Sequence, residues 1–334
     1  ALSWFTEAAA AEAASVLQID YEDLLSGGYK LYTTLDRAAQ KSAEALCGDA
    51  AYFPPDASDG TPVQTALVCL DWAGELRAVM GGRRVETQRG LNRAIDIRRQ
   101  PGSAFKPISV YAAAVDRFGY LPVRLIDDTR RTFAGGYNPG NFGDTYAGRV
   151  TLREALSRSL NVATVDLAEK TGIPAARQYA QAAGIELSSA DNNLSLALGS
   201  LTEGVSPLAL CAAYGPLYTG GNWTQPHAVR RITDAAGETV YRFTGEKRRV
   251  FSETSAALLT DMLRTAATTG TARKLGALPF QAAGKTGTVG QPDGGNRDVW
   301  TVAYTPKLCV AVWMGFDQPD SRHVLSDAVT GSRH

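Results

Sequence analysis

The chain has 334 residues, enough for one large domain or two lobes, and its 44% hydrophobic and 20% charged residues are ordinary for a soluble globular protein. Its 34 basic and 34 acidic residues cancel, which argues against a nucleic-acid-binding surface; three histidines, with four cysteines in no C-x-x-C spacing, argue against a metal site. It opens on Ala1 and has neither a signal peptide nor an apolar run of about 18 residues, so it reads as cytosolic or as an excised piece of something larger. Residues 1–17, with an Ala/Glu-rich run at 7–14, predict an amphipathic helix followed by a loop with Gly27-Gly28. Tyr29 to Thr34 alternates like a strand, and Leu35 to Leu46 returns to helical period with Asp36 as N-cap. Residues 47–63 read as loop. Ala66 to Leu70 and Glu75 to Met80 form a hairpin turning at Ala73-Gly74. Helical patterns run from Thr151 to about Tyr218, a strand-rich insert spans Ala228 to Val250, and a helix covers Ser252 or Glu253 to Thr268. Three strands close the chain: Gln281 to Val289, Asp298 to Tyr304 and Leu308 to Phe316. Strands at both ends with helices between predict one sheet closed by the two terminal segments, with an inserted helical lobe and a cleft between them.

The chemistry concentrates at Arg98 to Pro107. A helix starting after Gly102 would put Ser103 and Lys106, three residues apart, on one face, so a hydroxyl could meet an amine. The Ser103 backbone N–H would point out of the first turn, free to bond an anion. Pro107 disfavours α dihedrals at Lys106 and removes a donor, so the helix should be distorted there. A Ser-x-x-Lys tetrad is expected about once by chance in a chain of this size. The downstream motifs therefore decide.

Ser159-Leu160-Asn161 is the only Ser-x-Asn in the chain. An interhelix turn accounts for it on its own; the functional alternative uses Ser159 as a proton relay near Lys106 and the Asn161 amide to hold a substrate carbonyl. Lys-Thr-Gly occurs twice. The copy at Lys170 follows a helical run and reads as a helix stop, with Gly172 as C-cap. The copy at Lys285 leads into strands; there Gly287 would admit a ligand backbone, while Lys285, Thr286 and Thr288 would bind a carboxylate. A phosphate-binding loop ending at Thr286 fails, because Pro279 stands where that motif needs glycine. A Ser-His-Asp hydrolase fails too: there is no G-x-S-x-G elbow, and His227, His323 and His334 fall in turn-like or terminal stretches.

Ser-x-x-Lys, Ser-x-Asn and Lys-Thr-Gly-Thr in that order resemble the signature of penicillin-binding proteins and serine β-lactamases. The flanking text, including Tyr32 to Asp36, Asn92-Arg93-Ala94, Arg99 to Pro107, Asp298-Val299-Trp300, Thr305-Pro306 and Val312 to Asp317, is similar to that of class A (bifunctional) penicillin-binding proteins over about residues 27–331. The resemblance implies a β-lactamase/transpeptidase-like α/β fold, an antiparallel sheet flanked by helices with an inserted all-helical lobe. Residues 29–334 would be the transpeptidase domain and 1–28 a linker from an upstream glycosyltransferase domain, in a protein anchored at the extracytoplasmic face of the bacterial membrane. It implies a serine D,D-transpeptidase acting on the D-Ala-D-Ala end of peptidoglycan stem peptides, acylated by β-lactams and needing no cofactor and no metal. Ser103 would be the nucleophile, Lys106 its base, Ser159 the relay, and Asn161 and Lys285 substrate-holding residues with Thr286, Gly287 and Thr288. The Ser103 and Thr288 N–H groups would form an oxyanion hole, and the donor peptide would add to the strand at 285 as a further edge strand. Two alternatives stand beside it: a carboxypeptidase or β-lactamase-like hydrolase, and a non-catalytic β-lactam-binding module. No acidic residue between Ser159 and Lys285 sits in a recognisable deacylation motif, which counts against a hydrolase. Thr301 stands where the family usually has an aromatic residue. The chain also ends at Gly331-Ser332-Arg333-His334, before the C-terminal helix the family packs on its sheet, leaving that face's cover open. Family topology sets the Cys69 strand beside the Cys309 strand; the apolar surroundings predict free thiols even so.

Overall fold

The computed structural model describes residues 2–85 and 87–331; His334, one of the histidines weighed above, lies outside them. The first helix, α1 (Trp4–Leu17), is capped by Ser3, whose hydroxyl accepts the Thr6 N–H, and its apolar residues Trp4, Phe5, Ala9 and Ala13 join the main core. The stretch expected as linker is therefore packed against the domain that follows. A second helix, α2 (Tyr21–Ser26), replaces the predicted loop; six residues are too short to show a period in sequence. Strand β1 (Lys30–Thr33) and helix α3 (Arg37–Gly48) follow as expected, with the Asp36 carboxylate accepting the Ala38 and Ala39 N–H groups. Strands β2 (Gln64–Asp71) and β3 (Leu76–Met80) form the predicted hairpin.

The stretch Gly102–Ile108, which carries Ser103 and Lys106, is a 3₁₀ helix, the distortion that Pro107 predicts. Pro107 sits inside it and Ser109 breaks the dihedrals at φ −124°, ψ −94°, after which α4 (Val110–Ala112) continues into a wide π turn, Ala113–Arg117. The tighter winding serves the pairing, because residues i and i+3 eclipse in a 3₁₀ helix.

The inserted lobe contains α5 (Leu152–Ser157), α6 (Asn161–Thr171), α7 (Ile173–Ala182), α8 (Pro207–Ala213) and α9 (Gly215–Tyr218). A hairpin of β4 (Leu125–Asp128) and β5 (Gly148–Thr151) precedes them, so the lobe is not purely helical. The strand-rich insert resolves into β6 (Asn222–Thr224), β7 (Val229–Thr233), β8 (Thr239–Arg242) and β9 (Lys247–Arg249), before α10 (Glu253–Thr268) and the closing strands β10 (Ala283–Gly290), β11 (Asn296–Tyr304) and β12 (Leu308–Gly315).

The main sheet is antiparallel with order β10-β11-β12-β2-β3, so both ends of the chain meet in it as expected. β1 is the exception: it pairs with β7 in a separate sheet, β1-β7-β8. Register places Ala66, Val68 and Leu70 opposite Trp313, Ala311 and Cys309 on one face, under α8. The other face is partly covered by the chain's own last stretch. There Leu325 and Val329 pack with Val63, Val299, Met314 and Phe316, Asn296 pairs with Leu325, and Thr301 Oγ1 donates to Gly331 O at 2.5 Å. The hydroxyl of Thr301 thus anchors the returning chain.

All four cysteines are free and buried. Cys309 opposes Leu70 and Cys69 opposes Val310, so the two side chains project from opposite faces of the sheet and cannot bridge. A thiol titration under denaturing conditions should count four thiols per chain. A count of two would mean that a disulfide forms where this register forbids the one between Cys69 and Cys309.

Candidate active site

Ser103, Lys106, Ser159, Asn161 and Lys285 converge although more than 180 residues separate the first from the last. Lys106 is fully buried. Its Nζ donates to Ser159 O at 2.9 Å and Asn161 Oδ1 at 2.8 Å, with Ser159 Oγ and Leu160 O both at 3.5 Å. Lys285, equally buried, donates from the opposite side to Ser159 Oγ at 2.8 Å and to Thr286 O at 3.0 Å. Ser159 is the bridge between the two amines. It sits in the turn joining α5 to α6 at φ +61°, a left-handed conformation that costs a β-carbon-bearing residue on the order of 1 kcal/mol. That twist presents both its carbonyl and its hydroxyl to the lysines.

Burial pushes the Lys106 amine well below its usual range; the Lys285 cation adds to this and the Asp128 carboxylate opposes it. Burial alone brings Lys285 down to about 7. Among the described residues, no carboxylate shares a hydrogen bond or ion pair with Ser103, Lys106, Ser159, Asn161 or Lys285. Ser103 is half-buried at the mouth. No hydrogen bond joins its hydroxyl to Lys106 among the described residues.

The Ser103 turn is clamped rather than free. Tyr214 Oη donates to Ala104 O at 2.6 Å, and Trp300 Nε1 donates to Gln100 O at 2.9 Å. A Cβ on Gly287 would stand 2.2 Å from Pro101 O, so this glycine lets β10 press on the Ser103 turn. The sequence predicts a ligand backbone in that space; the protein's own chain fills it. Gly102, at φ +53°, faces Thr288 O, where a Cβ would come to 2.9 Å, so the peptides at 102–103 and 288 are neighbours, as two oxyanion donors would have to be. Thr288 is exposed, while Thr286 is buried with its hydroxyl donating to Thr271 Oγ1 at 3.0 Å. Thr271, whose N–H also donates to Ser157 O, carries no sequence signal. It stitches β10 to the turn that holds Ser159.

Several flanking motifs form one brace behind the nucleophile. Arg93 makes a two-pronged pair with Asp317, at 2.6 and 2.5 Å. Arg99 donates to the carbonyls of Phe316 and Asp317, and the fully buried Asp298 accepts from Trp313 Nε1 and Arg297 Nε. The decoys fall elsewhere. Lys170 pairs with Asp166 at 2.6 Å in the last turn of α6, which Gly172 ends at φ +83°. His227 stacks on Phe243, and His323 lies between Asp59 and Asp320.

A model of the penicillin-binding protein transpeptidase domain matches residues 66–329 of the sequence. The chain belongs to that family. Penicillin-binding protein 1F of Bacillus subtilis is 36% identical over 316 residues, covering 94% of this chain and 43% of its own. Penicillin-binding protein 1A of Clostridium botulinum is 32% identical over 340 residues, covering 95% of this chain and 41% of its own. The chain thus spans less than half the length of these curated relatives. Among solved structures, PonA1 of Mycobacterium tuberculosis in complex with penicillin V superposes with a TM-score of 0.83 at 27% identity, covering 98% of this chain and 88% of that one. The fold is accordingly that of penicillin-binding transpeptidase domains.

Proposed function

We propose that the domain is a serine D,D-transpeptidase that cross-links peptidoglycan stem peptides through an acyl-enzyme on Ser103. The observation that carries this is the setting of Lys106, a fully buried amine whose Nζ lies 2.9 Å from Ser159 O and 2.8 Å from Asn161 Oδ1, where burial favours the neutral form. A neutral amine has two hydrogens and one lone pair, and the two short bonds to Ser159 O and Asn161 Oδ1 take both hydrogens. The lone pair is then left to accept the Ser103 proton.

In the first step Ser103 Oγ bonds to the carbonyl carbon of the penultimate D-Ala while Lys106 takes its proton. Lys106 returns that proton through Ser159 to the nitrogen of the terminal D-Ala as the C–N bond breaks. In the second step an acceptor amine replaces the serine ester and Oγ recovers a proton. The backbone N–H groups of Ser103 and Thr288 would hold the carbonyl oxygen, each worth about 3 kcal/mol. Lys285 as a cation, with the exposed Thr288 and with Thr286, would hold the terminal carboxylate that penicillin mimics. β10 is an edge strand, open to an added peptide strand.

The hydrolase alternative needs a base to activate water on the ester, and a carboxylate is the usual choice. No carboxylate shares a hydrogen bond or ion pair with the Ser103 cluster among the described residues, which favours transfer. No helix among the described residues is long and apolar enough to cross a membrane. By analogy with the family, the whole protein would carry its anchor and a glycosyltransferase domain elsewhere in the chain, with this domain at the extracytoplasmic face.

The test uses a peptide ending in D-Ala-D-Ala with an acceptor D-amino acid. The domain should form exchanged peptide in excess of hydrolysed peptide, and its penicilloyl adduct should persist for many minutes. Clearance of penicillin at about 10 turnovers per second, an ordinary enzyme rate, would replace the transferase with a hydrolase.

A further inference from the structure

The turn-rich stretch before β5 contributes nothing to the chemistry above, yet the structure places it directly behind the catalytic turn. Helix α6 starts at Asn161, and its N-cap residue is Leu160, which has no capping side chain. The first N–H groups of the helix must find acceptors elsewhere. Asn141 supplies one: its Oδ1 accepts from Asn161 N at 2.8 Å and from Val162 N at 3.0 Å. Asp128 supplies the next, its Oδ1 accepting from Ala163 N at 3.2 Å. The two are locked together, because Asn141 Nδ2 donates to both Asp128 oxygens at 2.9 and 3.0 Å, and Ala147 N donates to the same carboxylate at 2.9 Å. Both side chains are buried, at 0% exposure for Asp128 and 9% for Asn141. Next to Asn141, Gly140 O accepts Asn161 Nδ2 at 2.8 Å, which turns the other end of that carboxamide, Oδ1, toward Lys106.

We propose that Asp128 and Asn141 are positioning residues for acylation, capping α6 from outside so that Ser159 and Asn161 are held in register with Lys106. A buried carboxylate is costly unless it is fully hydrogen-bonded. Here it meets one amide, two backbone N–H groups and the positive end of an eleven-residue helix, α6. An ordinary side-chain cap at residue 160 would serve the helix equally well. The remote cap does more: the same loop that satisfies the helix also fixes the Asn161 carboxamide, so helix start and catalytic amide move as one body. This inference rests on the transpeptidase reading.

The test measures acylation by a fluorescent penicillin, separating the rate constant at saturation from the preceding non-covalent affinity, in Asn141→Leu, Asp128→Asn and Asn141→Asp. Asn141→Leu should lose about a hundredfold in the saturated rate constant, the scale of a small misplacement of reacting groups, while the affinity changes little. Asp128→Asn leaves one of the Ala147 and Ala163 N–H groups facing an amide NH2, and Asn141→Asp sets a carboxylate against both the Asp128 carboxylate and Thr145 O, so each should lose at least about tenfold. A saturated rate constant unchanged in Asn141→Leu or in Asn141→Asp overturns the proposal. The aspartate variant keeps the decision open to experiment if the leucine variant does not fold. Amide hydrogen exchange at residues 161–163 should be faster in each single variant, and unchanged exchange also overturns it. That readout does not depend on the chemistry. A wild-type protein that penicillin fails to acylate would remove the transpeptidase reading alone.

Discussion

Acylation by penicillin is expected to vanish in Ser103→Ala and to fall about a thousandfold in Lys106→Met, within the range that a general base contributes. Methionine keeps most of the buried volume, so the loss reports the amine rather than a cavity. The pH dependence carries the same information. Because burial and the Lys285 cation hold Lys106 well below its usual range, the wild-type saturated rate should rise with pH through that lowered value and fall again as Lys285 loses its proton around pH 7 and above. Lys106→Met should erase this rise. A Lys106→Met protein that is acylated at the wild-type rate would place the base elsewhere.

Lys285→Met should slow acylation by about a hundredfold, the scale of losing one well-placed electrostatic donor, whereas Lys170→Met should leave it unchanged. The two lysines sit in the same tripeptide and differ only in setting. Lys285 is fully buried between β10 and Ser159, while the Lys170 side chain is 47% exposed and paired with Asp166. Stability should move the other way. The Lys285 pKa is lowered from 10.5 to about 7, so the unfolded chain binds more protons between those values. The resulting penalty is complete below about pH 7 and is relieved as pH rises toward 10.5; at neutral pH it is on the order of 4 kcal/mol. Lys285→Met should therefore melt no lower than wild type at neutral pH, even though the variant strands the hydrogen bonds to Ser159 Oγ and Thr286 O. Slow acylation in a protein with an unchanged or raised melting temperature assigns the loss to chemistry. Equal effects at positions 170 and 285 would contradict the choice of the strand copy.

The reactive residues were legible because the chemistry demands particular side chains at short spacings: a hydroxyl three residues before an amine, and a Ser-x-Asn turn. The helix cap at Asp36 was legible for a similar local reason, and it holds in the structure. What could not be read acts at long range through backbone groups. Asp128, Asn141 and Thr271 reach the site by accepting or donating to main-chain atoms or a neighbouring hydroxyl, and such partners leave no spacing in sequence. Gly287 was rightly singled out as a position of close approach, but a missing side chain does not say what approaches. Alternation from Tyr29 to Thr34 disclosed a strand, not its partner, and the partner proved to be β7 rather than the main sheet. Pro107 did announce its effect. The distortion it predicted is the 3₁₀ winding that brings Ser103 and Lys106 onto one face.

The central claim, that Ser103 is the nucleophile of a slowly deacylating transpeptidase, is tested most directly by intact-mass measurement after incubation with penicillin, followed by mapping of the modified peptide. The prediction is one penicillin mass added per chain, located on the peptide containing Ser103 and still present after many minutes. An adduct on any other residue, or no adduct on the folded wild-type protein, would contradict it.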